Sequence, residues 1–235
     1  MNLQEVRYDF PDGFKAIFGV VYFSRVVVAD SSEELKALIN DFCVRLLERC
    51  KSSDGSFEAL SNMKSVRGLL RQCGFQPSGR NRPANEYLLR QMMETGTFQF
   101  ILNLVDINNY LSLKYGLPMS VLDAGKFSGI PLLRLGKTNE SYVFNPSGQE
   151  IDLECLIVIA DEKDTGAGES IPIGSPIKDS MIGKISKETT SAIGVVYAPA
   201  EDKFAGIVES VLNEWVLLSQ RFSNAKTWDT RVISV

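Results

Sequence analysis

The strongest constraint on the fold is the order in which two hydrophobic patterns follow each other along the chain. Apolar residues recur at helical spacing over about residues 31–116 and again over about 202–221. Over about residues 118–200, short strand-like apolar segments are separated by clusters of Gly, Pro, Asn and Ser. Because helices and strands are grouped rather than alternating, an α+β fold is favoured over a doubly wound fold. We expect mixed, largely antiparallel β-sheets packed with helices in layers.

Local signals mark several element ends. The first long helix follows a capping box at Ser31, and a later helix should begin near Pro83 and end at Gly96. A further helix should span residues 105–115. The sequence leaves the conformation of the tail after Phe222 open. Strands are predicted at residues 132–135, 142–144, 155–160 and 192–197.

The composition is that of a globular protein. With 235 residues, of which 44% are apolar and 23% charged, the chain is expected to form one domain over residues 1–235. The longest apolar stretch, residues 16–29, is interrupted by Ser24-Arg25 and is shorter than the roughly 20 residues that cross a bilayer. The first ten residues lack the layout of a secretory signal. A cytoplasmic location without membrane contact is therefore expected.

The absence of histidine limits the chemistry that the chain can perform. The sequence contains no His, which excludes imidazole-based triads, histidine zinc sites and imidazole acid–base catalysis. Carboxylates are scattered without the spacing of a metal site, so neither a metal nor a cofactor is expected. Any catalysis must use carboxylates, hydroxyls, Lys, backbone amides or the substrate itself.

The helix at 103–115 carries polar residues where burial is expected. Apolar side chains occupy both sides of this helix, so Asp106 and Asn109 should be at least partly buried. Buried polar groups need hydrogen-bond partners. Two interpretations remain open for these residues, namely a structural network that caps a neighbouring backbone and direct contact with a ligand.

Basic residues are concentrated in one segment of an otherwise acidic chain. The formal net charge is −4, yet six basic residues and one acid, Glu86, lie between Lys64 and Arg90. Three of the basic residues share a helical face and two lie in an exposed loop, an arrangement that could grip phosphates. A solvated basic face is the alternative. The candidate nucleic-acid-binding residues are Lys64, Arg67, Arg71, Arg80 and Arg82.

The segment Asn103–Asp123, N-L-V-D-I-N-N-Y-L-S-L-K-Y-G-L-P-M-S-V-L-D, resembles a stretch of a known family. It is similar to N-x-V-D-I-T-N-Y-V-x-x-x-x-G-x-P-L-H-A-F-D of the third and fourth B modules of the phenylalanyl-tRNA synthetase beta subunit. Weaker similarity extends over about residues 65–197. The positions that match without a gap are Asn103, Val105, Asp106, Ile107, Asn109, Tyr110, Gly116, Pro118 and Asp123.

The resemblance implies the fold of that editing domain, here freestanding, and a role in translation quality control. The implied function is binding of aminoacyl-tRNA 3′ ends and hydrolysis of mischarged aminoacyl-tRNA, by an ester hydrolase without histidine. It implies candidate catalytic roles for Ser120 and Asp106 and substrate-binding roles for Asn103, Asn109 and Asp123. The alternative is a non-catalytic module that binds a free amino acid or a related small molecule in the inherited pocket.

This sequence departs from the family pattern at two places. Ser120 stands where the family's editing segment has histidine after Pro-Leu. The family's editing glutamate has no clear match, and the nearest acids are Asp179 and Glu188. An activated ester could still be cleaved by a positioned water and the terminal ribose hydroxyl, with protein groups that orient them.

Overall fold

The structure of the protein is a computed structural model that describes residues 1–51, 58–163 and 169–235, apart from the side chains of Lys51, Arg80 and Thr227. Five α-helices lie in these ranges. They are α1 (Glu33–Lys51), α2 (Glu58–Arg71), α3 (Ala84–Thr95), α4 (Asn103–Tyr115) and α5 (Asp202–Ser223).

The described strands form two four-stranded sheets and one hairpin. The first sheet has the order β10-β2-β9-β3 and is antiparallel throughout. The second has the order β1-β4-β7-β8, in which only β1 and β4 are parallel. The strands are β1 (Arg7–Asp9), β2 (Ala16–Ser24), β3 (Met119–Asp123), β4 (Ile130–Leu135), β5 (Ser141–Val143), β6 (Glu150–Asp152), β7 (Ile157–Glu162), β8 (Ser170–Gly174), β9 (Ser191–Pro199) and β10 (Thr227–Ser234).

The expected fold class is confirmed, since the sheets are mixed, largely antiparallel and packed with helices. The predicted helix end at Gly96 is also confirmed, because that residue caps α3 with a φ of 73°. The tail after Phe222 is not irregular. α5 ends at Ser223, Asn224 adopts a left-handed conformation, and the chain returns as β10 along β2. Within the described ranges, no helix has both the length and the apolar character needed to cross a bilayer.

Helix α5 packs directly on the centre of the first sheet. The contact is close because glycines face the helix: a Cβ added to Gly19 would lie 2.7 Å from Val208 Cγ1. A Cβ added to Gly194 would lie 2.4 Å from the Trp215 ring, which is fully buried. Any side chain at these two positions would push the helix away from the sheet.

Helix α4 is held at its first turn by Asn103. The Asn103 Nδ2 atom donates 2.9 Å hydrogen bonds to the carbonyls of Val27 and Phe222, and its Oδ1 accepts from the Ala29 N–H at 3.2 Å. One side chain thus joins α4 to the segment after β2 and to the end of α5. The far end of α4 stops at Gly116, whose φ is 68°.

We predict that Gly194→Ala lowers the free energy of unfolding by about 1–3 kcal/mol, because the new methyl group overlaps Trp215. Urea denaturation measures the change. Gly206→Ala is the control, since Gly206 lies in α5 with no atom within 4 Å of an added Cβ. This control should raise stability by up to about 1 kcal/mol. Equal stability of the Gly194 variant and the wild type would contradict the close contact.

Candidate functional site

A cavity of about 520 Å³ opens between α3, α4, β3 and the loops that follow β5 and β8. Its apolar wall is contributed by two helices, one strand and the loop after β8. Met119 and Val121 of β3 face it, so Ser120 between them points to the opposite side of the strand. The apolar wall is formed by Leu88, Val105, Met119, Val121, Ile177 and Ile185.

Of the acids in the described ranges, Asp179 alone lines this cavity. Its Oδ1 atom accepts hydrogen bonds from Ser120 Oγ at 2.7 Å and from the Ser175 N–H at 3.2 Å. Ser175 shapes the surrounding loop, since its hydroxyl oxygen accepts from the N–H groups of Ile177 and Lys178. The carboxylate is therefore fixed at the cavity wall by one group from β3 and one from its own loop.

The environment of Asp179 raises its pKa to about 6, because burial penalises the charged form. The positive charge of Lys184 and the hydrogen bond from Ser120 oppose this rise. The residue as a whole is half-buried, and it lines the cavity. A carboxyl group with a pKa near neutrality can both accept and return a proton under physiological conditions.

Ser120 supports Asp179 from behind the strand. Ser120 is fully buried, and its Oγ lies 3.1 Å from the Tyr197 hydroxyl and 2.7 Å from Asp179 Oδ1. Because burial raises the pKa of Tyr197 well above its usual value, that hydroxyl stays protonated and can donate to Ser120. The Ser120 hydroxyl can in turn donate its hydrogen bond to Asp179. The result is a donor chain that ends on the carboxylate.

The polar part of the cavity wall is predominantly basic. Arg82, Lys178 and Lys184 line it together with the single acid. The Lys178 ammonium lies 3.9 Å from the centre of the Phe144 ring, a cation–π contact. Three cations around one cavity favour a ligand that carries negative charge.

Asn109 lies between this cavity and a second, smaller one. Its Oδ1 accepts from Asn108 Nδ2 at 3.2 Å. Its own amide nitrogen has no hydrogen-bond partner among the described residues. The second cavity, of about 230 Å³, shares Tyr87, Leu88, Ile101 and Asn109 with the first. The two cavities are therefore neighbours along α3 and α4.

The ring of Tyr87 stands at the junction of the two cavities. This side chain is 58% exposed, and the neighbouring Ile101 is 53% exposed. Phe98 and Met92 form a buried apolar floor below them in the second cavity. Polar groups of the second cavity include the amides of Gln91 and Gln99, which bond to each other. This arrangement suits a flat heteroaromatic ring with a polar edge.

The residues matched by the family model include every cavity residue named above. The model that matches describes the B3/4 domain, and it covers residues 76–201. This range exceeds half of the chain. The chain belongs to the B3/4 domain family. Both cavities, Asp179 and the donor chain behind it lie in the part of the chain that carries the family match.

Two similar proteins are phenylalanine–tRNA ligase beta subunits. The protein of Streptococcus agalactiae serotype Ia is 32% identical over 107 residues, which are 43% of this chain and 13% of the relative. The protein of Neisseria gonorrhoeae is 35% identical over 75 residues, which are 32% of this chain and 10% of the relative. The chain thus aligns with about an eighth or less of these relatives' length.

One solved structure that is similar to this chain is an N-terminal fragment of the phenylalanyl-tRNA synthetase beta subunit from Pyrococcus horikoshii. The superposition covers 98% of this chain and 54% of the fragment, with a TM-score of 0.42 and 9% sequence identity.

Asp106 of the B3/4 domain is engaged by protein donors on both carboxylate oxygens. Ser31 Oγ donates to Oδ2 at 2.5 Å, and the Ile101 N–H donates to Oδ1 at 2.8 Å. Burial raises the pKa of this carboxyl group, against the effect of these hydrogen bonds. Asp106 is fully buried and joins the start of α1 to the segment before α4. Asp106 thus takes part in a buried hydrogen-bond network, whereas Asn109 lines the two cavities.

Asp123 is likewise occupied within the protein. Its Oδ1 accepts from the Gly125 N–H at 2.9 Å, and its Oδ2 accepts from Thr189 Oγ1 at 2.8 Å. It caps the short helix after β3 and ties that helix to the segment before β9. Asn103, as described above, is tied to three backbone groups in two segments, the one after β2 and the end of α5. Neither side chain lines the cavity that holds Asp179.

The five candidate phosphate-binding residues do not form one surface. The Arg67 guanidinium is bound by both carboxylate oxygens of Glu86 from α3. Lys64 and Arg71 are exposed on α2. Arg82 alone of the described side chains in this set lines the cavity, and the side chain of Arg80 lies outside the described part.

No metal site was found among the described residues, where no three His, Cys, Asp or Glu side chains come together. The structure places Asp179 and Lys184 at the cavity. Sequence comparison named Asp179 only as one of the two acids nearest to the family's missing glutamate, and no sequence pattern indicated Lys184. The only local signal is the Ser-Pro-Ile-Lys-Asp-Ser loop after β8, whose Pro and Ser predict a turn and not a reactive acid.

We predict that Asp179 makes stability depend on pH. Its folded-state pKa of about 6 lies above the ordinary value of 3.8, so folding favours the protonated form. The contribution is complete below pH 3.8 and is lost as pH rises through about 6, by at most about 1.4 kcal/mol per pH unit. Asp179→Asn should remove this dependence. Urea denaturation of both proteins over this pH range measures it, and parallel profiles would contradict the burial of the carboxyl group.

Proposed function

We propose that the cavity binds the 3′ end of an aminoacyl-tRNA and that Asp179 assists hydrolysis of the ester bond. The observation that carries the proposal is a carboxyl group with a pKa of about 6 at the wall of a cavity that is lined by apolar, amide and basic side chains. Membership of the B3/4 domain family and similarity to phenylalanine–tRNA ligase beta subunits supply the substrate class.

The proposed catalytic step uses water as the nucleophile. Asp179 accepts a proton from water while the water oxygen bonds to the ester carbonyl carbon. The ester C–O bond then breaks, and the proton passes to the departing ribose oxygen, so that free amino acid and tRNA result. Lys184 lies close enough to lower the pKa of Asp179 and would also favour the negative charge that develops on the carbonyl oxygen.

In this proposal the two cavities receive different parts of the ligand. The aminoacyl group occupies the larger cavity, against Val105, Met119 and Ile177. The terminal adenine occupies the smaller one, where the exposed ring of Tyr87 offers a stacking surface. Asn109 stands between them, with an amide nitrogen available to the ribose or ester. Base–aromatic stacking is worth about 1–3 kcal/mol.

We assign supporting roles to the remaining candidate residues. Ser120 is proposed as a positioning residue that orients Asp179 through its hydroxyl group, rather than as a nucleophile. Asp106, Asn103 and Asp123 are proposed to fix α4 and the end of β3 relative to their neighbours. Substitution of these three residues should therefore lower the stability of the fold more than it lowers the rate of hydrolysis.

A deacylation assay tests the proposal. A panel of tRNAs, each carrying a radiolabelled non-cognate amino acid, is incubated with the wild type and with Asp179→Asn. We expect release of amino acid by the wild type and a loss of about 100-fold or more in the variant. Asp9→Asn, an exposed acid on β1, is the matched control and should keep full activity. Equal rates for both variants would exclude Asp179 as the proton acceptor.

Salt dependence of tRNA binding tests the role of Arg82. If Arg82 contacts a phosphate, Arg82→Ala should weaken binding and reduce the slope of log K against log salt by about one phosphate equivalent. Arg45→Ala is the control, because Arg45 lies on α1 and pairs with Asp41. An unchanged slope in the Arg82 variant would place the phosphates elsewhere.

The alternative function, binding of a free amino acid without turnover, is favoured by one observation. Ser120 is buried behind the strand and the chain lacks histidine, so the cavity offers no side-chain nucleophile of the usual kind. Thermal-shift measurements with free amino acids separate the two functions. A raised melting temperature, together with no release from any aminoacyl-tRNA, would support the binding module.

A further inference from the structure

Strand β10 leaves one hydrogen-bonding edge of the first sheet unpaired in the described part of the protein. β10 is the outermost strand and pairs only with β2 among the described strands. Ala16 and Val235 exchange both of their backbone hydrogen bonds. Counting back in steps of two along an antiparallel ladder, Ile233, Arg231 and Asp229 bond to β2. The N–H and C=O groups of Trp228, Thr230 and Val232 therefore point outward.

The apolar and the charged side chains of β10 lie on opposite faces of the sheet. Trp228 is 45% exposed and Val232 is 39% exposed, and both lie on the face of the sheet that carries α5. Asp229 and Arg231 lie on the other face and have opposite charges. Exposed apolar side chains beside an unpaired strand edge are typical of a surface that pairs with another strand.

We propose that β10 pairs with β10 of a second copy of this chain, antiparallel and with the two-fold axis at Thr230. This register sets Thr230 opposite its own copy and Trp228 opposite Val232 of the partner subunit. All of these residues have outward backbone groups, so each pair can exchange two hydrogen bonds. A two-fold operation makes the same patch serve both subunits.

Charge selects this register over its neighbours. With the axis at Thr230, Asp229 stands opposite Arg231 of the partner subunit in both halves of the interface. With the axis at Asp229 or at Arg231, the backbone groups would still match, but two like charges would face each other at the axis. An axis between two residues would pair outward backbone groups with groups already bonded to β2.

In the single chain, the outward N–H group of Thr230 has an acceptor in the neighbouring side chain. The Thr230 N–H donates to Asp229 Oδ1 at 2.9 Å. In the dimer this N–H instead donates to the carbonyl of the partner's Thr230. The Asp229 carboxylate then becomes available to Arg231 of the partner subunit. Arg231 donates from Nη1 to the carbonyls of Leu3, Gln4 and Val6, which holds its guanidinium against the N-terminal segment and leaves Nη2 and Nε for the partner's Asp229.

The proposed interface leaves both ligand cavities open. β10 lies at one edge of the sheet, whereas β3, which supports the cavity, lies at the other edge. Two strands, β2 and β9, separate them in each copy. Pairing would join two four-stranded sheets into one continuous sheet with a cavity near each end.

Sedimentation of the full chain over a range of concentrations tests the dimer. We expect a reversible monomer–dimer equilibrium for the wild type. Thr230→Pro should be monomeric, because it removes the central outward N–H at a position where Pro is tolerated. Thr230→Val keeps this N–H and should remain dimeric. A monomeric wild type at the highest soluble concentration, or a dimeric Thr230→Pro, would overturn the proposal.

Mixing two charge variants tests the register. Asp229→Arg and Arg231→Asp each place like charges opposite each other in a homodimer, so each should dimerise at least about tenfold more weakly than the wild type. In an equimolar mixture every facing pair has opposite charges, and dimerisation should return. Failure of the mixture to associate more strongly than either variant alone would exclude the register centred on Thr230.

Discussion

The close packing of α5 against glycines of the central strands is the constraint on which the rest of the structure depends. Trp215 fits over Gly194 only because no side chain projects from β9 at that position. This packing fixes β9, and β9 in turn carries Tyr197 and pairs with β3. Ser120 of β3 meets Tyr197 on one side and Asp179 on the other. The geometry of the acid is thus set by a helix that never touches the cavity.

A second set of contacts sets the position of α4. Asn103 and Asp106 bind backbone or hydroxyl groups from three other parts of the chain, so the first turn cannot shift without losing several buried hydrogen bonds. The Asn109 amide, one and a half turns later, is carried to the junction of the two cavities by this anchoring. The residues of this sequence motif therefore divide into those that hold the helix in place and Asn109, which lines the two cavities.

Local patterns predicted what depends on local physics. Helical periodicity predicted the helices, and Gly96 predicted the end of α3. Both signals depend only on nearby residues, because one buries a face of the helix and the other supplies a left-handed cap. The short strand β1 is defined by its pairing with β4, more than 120 residues away, and no local pattern specifies it. Asp179 is similar, because its burial and its bond to Ser120 span 59 residues. Arg67 looked available to phosphate until folding placed Glu86 beside it.

In the proposed function, protonation of Asp179 has opposite consequences for binding the ligand and for cleaving it. When the carboxyl group of Asp179 takes up a proton, the wall keeps its three cations and loses its one negative charge. Attraction for the polyanionic ligand that we propose would then increase, while the proposed proton acceptor for water would be lost. In the function that we propose, mild acidification would thus slow hydrolysis of the ligand and strengthen its retention.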